Sequence, residues 1–144
     1  MEEEPEYYAD ITSKFPSELK QYVNFHLSPK IDDYHCMFRG VRYRDVPRDR
    51  KYDFVFVDGP KITSPTDGQQ TFDFDLLHVI KNSDTPVTGY TDSRFITVWV
   101  LSKVLTRGVR FDYAREMGII GPCTKNDVRF KGRSIMRNLG PHAV

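Results

Sequence analysis

With 144 residues, 39% of them hydrophobic and 28% charged, the chain has the size and composition of one globular domain with a real core, which excludes a disordered tail. Its net charge of +1 supplies no global field of the kind that marks nucleic-acid or membrane binders. Two cysteines, Cys36 and Cys123, lack any CxxC or Cys/His spacing, which excludes a disulfide framework and a zinc knuckle.

No apolar run reaches transmembrane length, and the opening residues Glu2, Glu3, Glu4 and Glu6 have the wrong charge for a signal peptide. Reduced thiols and a cytoplasmic location are therefore expected. In chain order, "PEYYADITSKF" places Tyr7, Tyr8, Ile11 and Phe15 near helical spacing, with Pro5 suited to the first turn. Pro16 limits that helix. "QYVNFHL" alternates as a short strand closed by Ser28-Pro29. Residues 30–50 are polar with little periodicity and read as a long loop, with one short element around "GVRYRDV".

"FVFVD", Phe54 to Asp58, reads as a strand buried on both faces, followed by a Gly/Pro/Ser/Thr-rich loop. "TFDFDLLHVIKN" reads as a helix with Thr71 as its cap. "TPVTGYTD" is a strand in which Gly89 signals close approach of another backbone. "SRFITVWVLSKVL" has β-branched residues that favour strand, but its length and continuous apolar surface favour a buried helix, which we take. "GVRFDYA" is a last clear strand, with "NDVRFKG" as its antiparallel partner. The alternation predicts an α/β fold, a mostly parallel sheet flanked by helices with a C-terminal antiparallel strand pair, and a family resemblance implies that this sheet is Rossmann-like and partial.

In doubly wound proteins ligands bind at the carboxyl ends of strands. Asp58 is the leading candidate by that rule, facing a ligand or serving as general base; the alternative is a turn Asp capping the backbone after it. Asp92 and Arg94, at the end of the next strand, form a second constellation that would reach the same crevice and orient a polar substrate. The alternatives are a structural ion pair, or a helix cap by Asp92 or Ser93. Tyr43 and Asp45 would line the cleft from the long loop, but a solvated loop is the simpler reading. His26, His35, His78 and His142 show no metal-ligand spacing, and Ser64 has no companion His, so neither a metal site nor a serine hydrolase is expected.

Lys125, Arg129, Lys131, Arg133 and Arg137 make the carboxyl end basic. With Phe130 interleaved they would grip a nucleic acid, but their alternation with Val128 also fits an edge strand defended by charge, so nucleic-acid binding is not the expectation.

Taken together, "YDFVFVDGP", "TPVTGYTDSR" and "VRFDYA" followed by "DVRF" resemble the fourth, fifth and closing strands of class I S-adenosylmethionine-dependent methyltransferases, whose last strand runs antiparallel. "VNFHLSP" resembles the third strand, and "EEEPEYYADI" the E-x-x-P-E-[WY]-[WY] segment after the second. The resemblance spans nearly the whole chain, in order. It implies S-adenosylmethionine as cofactor, with Glu2 on the ribose hydroxyls and Asp58 and Gly59 beside the donor. It implies Asp58, Asp92 and Arg94 at the reaction centre, and a small polar or sugar-like molecule accepting the methyl group on oxygen. Asp58 and Asp92 also resemble part of the metal set of catechol-type members, but two carboxylates are too few and no metal is expected.

The family's glycine-rich turn would precede Glu2, and no G-x-G occurs among the nine glycines. Residues 1–144 thus resemble, as a single domain, the carboxyl-terminal half to two-thirds of a methyltransferase: a truncated product, a late start, or a remnant serving as a non-catalytic interaction or assembly module. Such a chain would expose a sheet edge, to be covered by dimerisation, strand exchange or a partner.

Overall fold

The computed structural model describes residues 1–131, so Arg133, Arg137 and His142 lie outside the described residues. Helix α1, Pro5–Lys14, begins on its proline as the sequence predicts and buries none of its side chains. A 3₁₀ turn, Ser17–Tyr22, replaces the start of the strand expected at 21–27. Only Leu27 of that stretch pairs, in a single parallel bridge with Glu2.

The expected loop at 30–50 is instead largely a hairpin, strands β1 (Lys30–His35) and β2 (Phe38–Tyr43). Strand β3 spans Phe54–Val57, and β4 is two residues long, Phe72–Asp73. Helix α2 therefore starts only at Asp75 and ends at Lys81. Thr71 is not its cap; the Thr71 hydroxyl donates to the Ile62 carbonyl (2.7 Å). Strand β5 (Val87–Thr91) and helix α3 (Phe95–Val104) lie where the sequence places them. Strand β6 (Val109–Asp112) pairs with β7 (Met117–Cys123), not with the described part of the stretch 126–132. Residues Lys125–Asp127 form a 3₁₀ turn closed by a capping box in which Asp127 accepts from the Thr124 amide (2.8 Å).

The fold is α/β, with two mixed sheets: β1-β2-β4 and β3-β5-β7-β6. A mostly parallel sheet is not what forms. β2–β4 and β3–β5 are parallel, while β1–β2, β5–β7 and β6–β7 are antiparallel. The hairpin-forming stretches at 30–43 and 109–123 connect neighbours too tightly for a crossover, so antiparallel pairing follows.

The helices cover one face of the four-stranded sheet. A Cβ on Gly89 would meet the Leu76 side chain at 2.3 Å, and one on Gly118 would meet Val98 at 2.4 Å. Gly89 and Thr91 share a face, and the pairing of Thr91 with Gly118 puts α2 and α3 on that same face. Gly89 thus admits a leucine rather than a backbone. Filling the space is expected to cost: Gly89→Ala should destabilise by about 1–3 kcal/mol, read as a lowered melting temperature against the parent.

Phe54 and Phe56 point to the other face and are 52% and 54% exposed. The expectation of a strand buried on both faces fails here for a topological reason. β3 is the edge of its sheet and has a helix layer on one side only. The main core lies between that layer and the strands: Phe74, Leu76, Leu77, Ile80, Val100, Leu101 and Ile120 among others.

Candidate functional site

An open cleft of about 640 Å³ runs between β3 and the segment around Tyr22–His26. It is within the range of small-molecule sites. Glu2, Asp58 and Gly59, the three residues expected to touch a cofactor, all line it. They arrive from distant parts of the chain. Glu2 is held by its bridge to Leu27, through Glu2 N donating to His26 O (3.0 Å) and Ser28 N donating to Glu2 O (2.9 Å). Asp58 and Gly59 follow directly on β3.

Asp58 is exposed, and its carboxylate makes no hydrogen bond among the described residues, so it does not cap the turn behind it. Glu2 Oε1 is engaged, accepting from the Glu3 amide (2.7 Å) and the Glu4 amide (2.9 Å) at the start of α1. A side chain at Gly59 would stand 2.9 Å from the Tyr43 hydroxyl, so glycine lets that hydroxyl close on the backbone. The Tyr43 hydroxyl donates to the Met1 carbonyl (3.3 Å). Burial, reinforced by the Glu2 and Asp75 carboxylates, raises its pKa, which keeps it a donor at neutral pH.

Two cleft residues lay outside the leading candidates. The sequence offers Tyr43 as a cleft-lining residue on a long loop but favours a solvated loop; Tyr43 lines the cleft, buried at the end of β2. Asp75 is not among the residues the sequence singles out. It is 8% exposed; Oδ1 accepts from the Tyr43 amide (3.0 Å), and Oδ2 is buried with no hydrogen-bond partner among the described residues. Burial pushes its pKa up to about 7. The signal was present in "TFDFD", where acids alternate with phenylalanines as in a half-buried strand, but the stretch also fits the start of a helix.

Asp92 and Arg94 come together, but neither lines the cleft. Arg94 Nε donates to Asp92 Oδ1 (2.8 Å); Nη1 donates to the Pro60 carbonyl (2.8 Å) and to Asp73 Oδ2 (3.2 Å). Asp73 is 1% exposed, and burial raises its pKa well above the ordinary carboxylate range, with the nearby Asp75 adding to the rise and Arg94 opposing it. Neither Asp92 nor Ser93 caps α3. Arg94 thus ties the loop after β3 to β4 and to the end of β5, and so holds the backbone from which Asp58 and Gly59 project.

Elsewhere, a hollow of about 380 Å³ beside α2 is rimmed by Arg48, Arg50 and Lys51, and receives none of the expected site residues. His35 Nε2 donates to the Arg129 carbonyl (2.7 Å), and burial pushes His78 down to about 4. Ser64 donates to Asp32 Oδ2 (2.9 Å). Among the described residues no group of three or more His, Cys, Asp or Glu side chains is arranged to hold a metal ion, and no helix is long and apolar enough to cross a membrane.

No protein-family model, curated protein or solved structure matches the chain.

Proposed function

We propose that the chain is a methyltransferase-like protein that uses S-adenosylmethionine to methylate an oxygen of a small polar or sugar-like molecule. The observation that carries this reading is the convergence of Glu2, Asp58 and Gly59 on one cleft. The pairing agrees with it. The stretches resembling the fourth and fifth strands lie side by side in parallel, and those resembling the second and third meet in a parallel bridge.

The residues present suit such a cofactor. Glu2, Asp58 and Asp75 are acceptors, matched to ribose hydroxyls and to positive charge, and the walls are apolar and aromatic. Bound there, S-adenosylmethionine supplies an electrophilic methyl carbon on sulfur. Glu2 would hold ribose through its remaining oxygen, and Gly59 would let the ligand approach the backbone. Asp58 would take the acceptor hydroxyl's proton as the new oxygen–carbon bond forms. Asp92 and Arg94 would act as positioning residues, fixing the Pro60 carbonyl and so the turn that bears Asp58. Most of the rate effect would come from alignment of the two reactants.

The exposed Phe54 and Phe56 on an edge strand favour a second reading, a non-catalytic interaction or assembly module that dimerises or takes a partner at that edge.

Calorimetric titration with S-adenosylmethionine and its demethylated product separates the two. The first reading expects saturable binding, weakened at least about tenfold by Asp58→Ala, a loss typical of one hydrogen bond to a charged group. A folded chain that gives no heat with either ligand leaves only the second.

A further inference from the structure

We propose that the cleft accepts a strand: an extended segment of a separate polypeptide, apolar at alternate positions and carrying one Lys or Arg, pairs with the free edge of β3 and sets its cation against Asp75. The inference rests on the second reading, a partner at the β3 edge, because Glu2, Asp58 and Asp75 line the one cleft that an adenosyl ligand would also use.

The direction of pairing shows which groups are free. Asp53 O accepts from Thr88 N (2.9 Å), and Val57 O accepts from Asp92 N (3.2 Å). In a parallel ladder the N–H and C=O of one residue point to the same side and successive residues alternate. Asp53, Val55 and Val57 therefore face β5, and the N–H and C=O of Phe54 and Phe56 face the cleft. They have no partner strand among the described residues.

Natural edges are guarded by charge, proline or a bulge. The opposite edge, β6, carries exposed Arg110, whereas Phe54–Val57 carries no charge, proline or register shift. An unguarded apolar edge inside a cleft is suited to pairing. Four residues at about 3.3 Å each give a docking length of about 13 Å.

The chemistry of the occupant follows from the wall. Glu2, Asp58 and Asp75 bring three carboxylates against two cations, Arg50 and the Met1 amino group. Asp75 Oδ2 is enclosed without a donor. A buried acceptor of this kind is costly until a donor reaches it, and a cationic side chain meets both needs. A second copy is a poorer fit. Its β3 is already backed by β5 and faced by its own Tyr22–His26 segment, so two copies cannot each enter the other's cleft, whereas a free extended segment can.

The test pans a displayed library of random ten-residue peptides against the folded full chain. Enriched sequences should alternate apolar residues around a fixed Lys or Arg. The best of them, synthesised, should slow amide exchange at Phe54 and Phe56 more than tenfold, with less change at Val55 and Val57. Methylating its alternate backbone nitrogens should abolish binding. Phe56→Pro removes an outward N–H without touching the β5 ladder and should weaken binding at least tenfold, whereas Phe56→Ala, which keeps it, should lose less. Asp75→Asn should erase the preference for Lys or Arg over Thr. No enrichment overturns the proposal, as does a winner indifferent to nitrogen methylation and to Phe56→Pro. A concentration-dependent dimer abolished by Phe56→Pro would assign the edge to a second copy and overturn it equally.

Discussion

Arg94→Ala is expected to destabilise the protein by about 3–5 kcal/mol at neutral pH, the usual consequence of stripping one partner from a buried pair. The reason is Asp73. Its side chain is 1% exposed, its Oδ1 is occupied by the Asp75 amide (3.0 Å), and its Oδ2 faces Arg94. Without the guanidinium nothing opposes the rise in the Asp73 pKa, so the carboxyl must take up a proton to stay in its dry site, and the Pro60 carbonyl also loses its donor. The deficit should shrink as pH falls, because protonating Asp73 removes the charge that Arg94 balances. Arg94→Lys should recover only part of the loss, since one ammonium cannot reproduce a planar fork directed at Asp92, Asp73 and Pro60 together. Denaturant unfolding at pH 8 and pH 4.5 measures all three. A pH-independent loss below about 1 kcal/mol, typical of an exposed pair, would show that Arg94 is a surface residue in solution.

Asp75→Asn should do the opposite and stabilise. Burial raises the Asp75 pKa from 3.8 to about 7, so between these values the folded state holds a proton that the unfolded chain releases. Stability therefore falls as pH rises through that window, and the loss is complete above about 7. Asparagine keeps an oxygen for the Tyr43 amide and carries no charge to desolvate. The variant should match the parent near pH 4 and exceed it at pH 8 by on the order of 3 kcal/mol, a shift of several degrees in melting temperature. Equal stability at both pH values would mean that water or a bound group already relieves Oδ2. A protein that keeps a destabilising acid at the edge of a cleft has the pattern of a site in which stability is given up for function.

The parts of this architecture that were legible in the sequence are those whose signal is local. Pro5 starts α1, the continuous apolar run of 95–104 forms α3, and "VDGP" ends a strand on a carboxylate that reaches a cleft. What escaped depends on distant partners. The β1–β2 hairpin lacks an Asn-Gly signal; Cys36 takes the positive φ of 54° in its turn, and Asp33 and His35 sit inward where apolar residues would have announced a strand. β7 carries no clean strand signal in the sequence, since Gly118, Gly121 and Pro122 interrupt it. Yet Gly118 makes room for Val98, and Gly121 takes φ 94° at a point where a side chain would strike the Val87 carbonyl at 2.3 Å. The apolar composition of Phe54–Val57 correctly marked a strand and wrongly implied two covered faces, because composition does not report which neighbour is present.

Family resemblance and the rule that ligands meet strand ends point to Asp58, Glu2 and Gly59, which share one cleft. Asp75 needed the fold: only the short β4 and the late start of α2 turn it inward.

The most direct measurement is an amide chemical-shift titration of the labelled chain with S-adenosylmethionine. If the cleft is the donor's cradle, saturable shifts should gather at Glu2, Tyr43, Asp58 and Gly59, with Asp92 and Arg94 following weakly through Pro60. A folded chain with no shifts, or with shifts confined to the basic hollow at Arg48–Lys51, would contradict that assignment and leave the open edge of β3 as the functional surface.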